Sequence, residues 1–391
     1  MKDVFSILQD HLVLLVAAFA LIVYLLRKIW LRDTAPIKAK TGAETSATEK
    51  KLFAVDPVSE DFKWDETEPL KSYPFKDKEY KLTMGIRTID VSEWLLIENT
   101  YADRIKEKVK ITTNTHPGYD QNKDLEKSTV FTSPEGEASV REFYDIVVTY
   151  MCDKYPMCFV KADGQVKNLI TGELIPESSA GVENPKDLLK YLIRTIEEDF
   201  IILLKDPTRK SEPYGDEYYF KAGVFAFAAG FDPIEKFDQP LTMIHGPIPG
   251  YESKLKLSMN RFFDRLKPGE FVSRSNFSVQ THNKFYVDDG NKGYHLTEEE
   301  LNKPIPFEDL DFEKQVHYRS ERQVLIKLPK TKATVFTIRT YLHPMSEFKG
   351  DMEAALRLRG SLDKFPDELA RYKNITQPRP AVMRYIDELQ L

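Results

Sequence analysis

The chain has 391 residues, of which 41% are hydrophobic and 30% charged, and its net charge is -6. That composition is too apolar for a disordered chain and too charged for a polytopic membrane protein, and the absence of a basic excess argues against nucleic acid as a main partner. Only two cysteines occur, Cys152 and Cys158, which argues against a disulfide framework or a cysteine-held zinc or iron–sulfur site and for two free buried thiols.

Leu12 to Leu26 carries no charge and is followed by Arg27, Lys28 and Trp30. Such a run rises about 22 Å as a helix, short of a hydrocarbon core of about 30 Å. It spans only if the two cations snorkel and Trp30 sits at the interface. The positive charge follows the run, and no small-x-small cleavage site precedes it. Residues 1–32 are therefore expected to be an uncleaved single-pass anchor, touching lipid through residues 12–31, with the large part cytosolic. Two sequons, at Asn276 and Asn374, pull weakly the other way. Residues 33–68 read as a flexible tether, and 69–391 as one folded unit.

Within that unit, Asp90 and Glu93 form a capping box that predicts a helix through Ile111. A second helix is expected over Glu137–Tyr155, ending before Pro156. Asn184-Pro185 opens a third, apolar helix through Lys205. Strands follow at Tyr218–Phe227, Phe271–Val279, Gln323–Leu328 and Thr334–Tyr341, with one helix between them at Glu252–Leu266. The tail from Asp351 reads as helical. The order predicts an α+β fold: a mostly antiparallel sheet under a helical cover.

Familiar catalytic motifs are missing: no Gly-rich phosphate loop, G-x-S-x-G, H-E-x-x-H or C-x-x-C occurs. Asp309-Leu310-Asp311 has the D-x-D spacing of metal-dependent sugar transferases, a triplet that also arises by chance. In MIHGPIPGY, residues 243–251, glycine and prolines stiffen the chain after His245. That imidazole is either a turn residue beside the core or an axial ligand for haem iron. Arg319, Glu321, Arg322 and Arg339 crowd two apolar strands, either as a structural ion-pair network or as the wall of a polarised pocket. Arg274 and Asn276 offer a further polar wall.

Six segments, in order, carry a resemblance: MGIRTIDVSEWLLIENTY, REFYDIVVTYMCDKYP, IEEDFIILL, AGVFAFAAGFDPIEKFDQPLTMIHGPIPGY, RFFDRLKPGEFVSRSNF and SERQVLIKLPKTKATVFTIRTYLHPM. The chain resembles the haem-dependent oxidative N-demethylase alpha subunit family, whose fungal members are called HRQ family proteins. The resemblance implies a PAS-like fold binding haem b, which activates O2 to demethylate a small amine and release formaldehyde. It implies His245 as the proximal iron ligand, Arg274, Asn276 and Arg339 as cofactor contacts, and Glu321 and Arg322 as catalytic groups. Phe277 stands where the family's string has tryptophan, and Glu98-Asn99-Thr100-Tyr101 replaces an acidic D-x-x-Y string. No flavin or iron–sulfur module is present, so a separate flavin-type reductase is expected as electron donor. The anchor suggests that both share a membrane, the endoplasmic reticulum. Two other readings remain open: a non-catalytic haem sensor or carrier of PAS-like fold, and a single-anchored glycosyltransferase using Asp309 and Asp311.

Overall fold

The computed structural model describes residues 51–390 apart from 289, 290, 292, 294 and 295. The expected anchor, residues 1–32, and the first part of the expected tether lie outside the described residues. Among the described residues no helix is long and apolar enough to cross a membrane.

Among the described residues ten strands run in chain order: β1 (Arg87–Thr88), β2 (Val130–Thr132), β3 (Phe159–Ala162), β4 (Gln165–Asn168), β5 (Leu174–Pro176), β6 (Asp199–Lys205), β7 (Tyr218–Val224), β8 (Val272–Gln280), β9 (His317–Lys327) and β10 (Thr334–Pro344). Seven of them form one antiparallel sheet in the order β1-β8-β9-β10-β6-β7-β2, and β3-β4-β5 form a small second sheet. The helices are α1 (Tyr101–Thr112), α2 (Leu125–Thr129), α3 (Glu137–Lys154), α4 (Pro185–Ile193), α5 (Leu241–His245), α6 (Lys256–Arg265), α7 (Glu298–Leu301), α8 (Met352–Asp363), α9 (Asp367–Tyr372) and α10 (Arg379–Glu388). The expected α+β class with a large antiparallel sheet is met.

One face of the sheet packs on α3 and the segment before α1. Phe200 and Ile202 of β6, Val324 and Ile326 of β9 and Val335 of β10 join Trp94, Phe143 and Val147 in the largest core cluster. Trp94 is fully buried and donates from Nε1 to Thr337 Oγ1 at 3.3 Å. A second cluster gathers Phe277, Val279 and Tyr318 under α8 to α10.

Three expectations change. The helix foreseen from Asp90 is only a short turn, Val91–Glu93, and α1 begins at Tyr101. The capping box is present, but the next carbonyls are taken by long cations. Arg322 donates to Glu93 and Trp94, Lys154 to Ser92 and Leu95, and Arg339 to Leu96. Carbonyls satisfied from outside have no need of an i+4 amide. The helix foreseen from Asn184 to Lys205 stops at Ile193, and the rest forms β6. That strand lies between β10 and β7 with both faces covered, so it reads as an unbroken apolar run that periodicity cannot tell from a buried helix. The tether ends sooner than residue 68: Phe53 is buried in the main cluster, and Leu52, Val55, Val58, Phe62 and Trp64 pack against it.

Both cysteines are free and buried, and burial pushes each thiol up to about 11. At neutral pH they are thiols, and inert.

Candidate functional site

The sheet face opposite α3 is not filled by side chains alone. Ile201 and Leu203 of β6, Phe220 of β7, Leu325 of β9, and Phe336 and Ile338 of β10 form one apolar wall of a cavity of about 260 Å³. His245, Ile248 and Met259, from α5, α6 and the turn between them, lie among the residues lining it, with Leu82 and Met84 from the segment before β1.

His245 is the last residue of α5. The helix is short because Pro240 precedes it and Gly246-Pro247 follows it, and it is pinned by Glu217. That carboxylate accepts from Thr242 N at 2.7 Å and from Thr242 Oγ1 at 2.6 Å. The chain then turns through Gly250, whose φ of 78° suits a residue without Cβ, into a π-turn at Tyr251–Leu255. Tyr251 stacks on the imidazole with ring centroids 5.2 Å apart. His245 Nδ1 lies 2.8 Å from the Leu241 carbonyl oxygen. A carbonyl can only accept, so Nδ1 carries the proton and Nε2 keeps its lone pair. Burial holds the imidazole down at about 4, with the Leu241 bond opposing and the Arg274 and Lys236 charges adding. The ring is only half-buried by exposed surface. These two facts agree once the exposed part is cavity wall rather than bulk water. The result is a neutral, oriented imidazole, as a metal ligand requires.

The polar end of the cavity is a hydrogen-bonded chain across β8 and β9. Arg274 stands opposite Gln323, and Asn276 opposite Glu321. Arg274 Nη1 donates to Gln323 Oε1 at 2.9 Å, and Gln323 Nε2 to Glu321 Oε2 at 3.0 Å. Asn276 Nδ2 donates to the same Glu321 oxygen at 3.3 Å, while Lys373 Nζ donates to Asn276 Oδ1 at 2.6 Å. Arg274 Nε is buried without a hydrogen bond.

The structure brings His245, Arg274, Asn276 and Glu321 to the lining of one cavity. It does not bring Arg322 and Arg339 there. Side chains alternate along a strand, so with Glu321 and Gln323 facing the cavity, Arg322 must face away; the same holds for Arg339 beside Ile338. Arg322 instead grips the Glu93 and Trp94 carbonyls. Arg339, 1% exposed, sits among three carboxylates on the α3 side: Glu98 at 2.7 Å, Glu197 at 2.6 Å and Glu198 at 3.0 Å. Burial raises Glu197 to about 7, with Arg339 opposing and the Glu198 and Glu98 charges adding. Glu98, expected as a variant of a family string, is thus part of this network, and Tyr341 donates to it.

Asp311 of the D-x-D triplet caps the Glu313 and Lys314 amides. Among the described residues no group of three or more His, Cys, Asp or Glu could hold a metal ion. Asn276, one of the two sequon asparagines, is engaged inside the cavity. Reading the sequence missed Lys236, Tyr80 and Lys373, which also line the cavity. The alternating cations of KDKEYK, residues 76–81, were the signal available for that region.

The features needed to hold haem are present on this face. They are a neutral imidazole with a free Nε2 lone pair, apolar walls, and cations at one end able to meet carboxylates. The cavity is small beside ligand pockets of about 300–1,000 Å³. It adjoins a cleft of about 820 Å³, with which it shares Tyr80, Thr83, Arg274, Asn276 and Lys373. A family model described as "Haem-dependent oxidative N-demethylase, alpha subunit-like" matches residues 85–383, and the chain belongs to that family.

Proposed function

We propose, from that membership, that the chain is a membrane-anchored haem b monooxygenase that oxidatively N-demethylates an amine. The observation that supports this most is the imidazole of His245, neutral, tied at Nδ1 to Leu241 and placed on an apolar cavity. His245 would hold the iron through Nε2, and Ile201, Phe336 and Ile338 would lie against the macrocycle. Arg274 would meet its carboxylates. Haem, when bound, supplies the activation of O2 and the electron transfer that no side chain here can perform.

The net change balances as an N-methyl amine, O2, two electrons and two protons giving the demethylated amine, formaldehyde and water. The electrons come from a separate flavin-type reductase. What the chain itself contributes is position and charge. Glu321 Oε2, oriented by Gln323 and Asn276, accepts the N–H of the substrate amine and holds its proton. The apolar wall around it keeps water from the reacting carbon. Arg322 and Arg339 act on the other face, shaping the sheet that carries Glu321 and Ile338. A PAS-like description suits a ligand held on one face of an antiparallel sheet. The uncharged run at 12–26 followed by Arg27 and Lys28 supports an anchor, with the folded unit on the cytosolic side of the endoplasmic reticulum.

The test is an absorbance spectrum of the full chain produced with ample haem, beside His245→Ala. Wild type is expected to show a Soret band and to lose most of it in the variant. Colourless wild-type protein would end the proposal.

A further inference from the structure

The outer side of α6 faces solvent. Met259 and Phe263 of this helix line the cavity, so Leu257, Arg261 and Arg265, spaced by four, stand on the opposite side. All three are exposed, and Leu257, at 63%, is the most exposed large apolar side chain among the described residues. Two more lie close by. Glu217 accepts from Thr242 Oγ1 at 2.6 Å and from Asn260 Nδ2 at 3.2 Å, which ties Met243, 53% exposed, to the middle of α6. Lys256 Nζ sits 4.5 Å from the ring centre of Tyr214, itself 40% exposed. Single apolar residues in solvent are ordinary, but three around one short helix form a patch.

The same stretch is basic. Lys256 is paired with Glu252 at 2.6 Å, and Asp264 with Lys205 at 2.8 Å. Lys254, Arg261, Arg265 and Lys267 are exposed and have no ion pair among the described residues, against one such acid, Glu270. In a chain of net charge -6 that excess is local. The chain also joins the folded unit here. Leu52 packs on Gly269, four residues beyond the end of α6, with Cδ2 2.9 Å from where a Cβ on that glycine would lie. The Phe53 ring meets Phe271 edge-on, with centroids 5.5 Å apart. Residues 33–51 alone separate Leu52 from the end of the expected anchor, a span of at most about 68 Å.

We propose that the outer face of α6 rests on an anionic bilayer surface. Leu257, Met243 and Tyr214 enter the headgroup layer, and Lys254, Arg261 and Arg265 meet lipid phosphates and carboxylates. This rests on the anchor reading of the N-terminal run and not on haem. Lipid is favoured over an acidic protein because exposed apolar side chains and unpaired cations share one face, beside the point where the anchor-bearing segment joins the folded unit. The cavity lies behind α6, so docking sets it about one helix diameter, 10–12 Å, from the headgroups.

The test uses the full chain in vesicles of phosphatidylcholine, alone or mixed with phosphatidylserine. Leu257→Cys carries a fluorescent label, while Cys152 and Cys158 are buried and stay unlabelled. A cation near an anionic surface gains a factor of about five, so three shift the docked-to-free ratio by about 150-fold between the two vesicles. The label is expected to be shielded from acrylamide, a neutral aqueous quencher, on the mixed vesicles. It should be open to quenching on phosphatidylcholine, and open again on mixed vesicles at high salt. Arg261→Gln with Arg265→Gln changes only exposed side chains. It should lower the docked-to-free ratio about 30-fold and expose the label, with an unchanged unfolding midpoint. The same label at Leu356→Cys, on α8, should stay open on both vesicles. A label at 257 quenched equally on both would overturn the proposal and leave the face to an acidic protein partner. Equal shielding at 257 and 356, or shielding that survives the double substitution, would overturn it as well. A chain that fails to float with phosphatidylcholine vesicles would sink the anchor alone, because the label on mixed vesicles still decides whether α6 docks.

Discussion

Arg339→Met separates a structural role for this arginine from the cofactor contact that the sequence resemblance implied. The guanidinium donates to Glu98 through Nε and Nη2, to Glu197 through Nη2, and to Glu198 and the Leu96 carbonyl through Nη1. Removing it leaves three buried carboxylates crowded together with their cation gone. Breaking a buried pair in this way costs about 3–5 kcal/mol. The folded unit runs from Leu52 to Leu391. Taking about 2.1 cal/mol/K per residue, its unfolding entropy is about 0.7 kcal/mol/K, so Tm should fall by about 4–7 °C. Scanning calorimetry measures that shift, and haem titration well below Tm measures the site. The expected result is a lowered Tm with haem affinity unchanged in the folded fraction. A variant with wild-type Tm that fails to bind haem would refute the two-face argument.

Glu197→Gln tests the same network by pH. Glu197 sits at about 7 in the folded chain, above an unfolded value of about 4.3. A raised carboxylate means the folded state binds the proton more tightly. Its contribution is therefore full below about pH 4.3 and is lost as pH rises through about 7. The stability difference between Glu197→Gln and wild type should grow in favour of the variant by about 2–4 kcal/mol across that window and then stay level. Denaturant melts at several pH values that showed a flat difference would contradict this. Ile201→Trp should occupy the cavity, cost less than about 1 kcal/mol because the volume is already there, and abolish the Soret band. A loss of about 3 kcal/mol would mean the space is not available. Arg274→Met should weaken haem retention, read as faster transfer to an excess of a haem-scavenging globin, while leaving the far-UV spectrum unchanged.

Much of the fold was legible because its cues are local. The Glu137–Lys154 helix ends before Pro156, α4 starts at Asn184-Pro185, and the strands β7 to β10 show β-branched and aromatic runs. Where local cues were ambiguous, tertiary partners decided. The run before Lys205 is a strand because β10 and β7 lie on either side of it, and residues 94–100 stay unwound because Arg322, Arg339 and Lys154 occupy their carbonyls. The charged cleft escaped notice because its cations come from residues 76–87, β8 and α9 to α10, far apart in the chain.

By itself the sequence determined the α+β class, the candidate imidazole and the set of charged residues on β8 to β10. Those depend on residue type and near neighbours. Only the tertiary structure decided which of the charges share a site. A strand turns alternate side chains to opposite faces, so Glu321 and Arg322, adjacent in the chain, end up on two sides of a sheet, one lining a cavity with His245 and the other bracing the core.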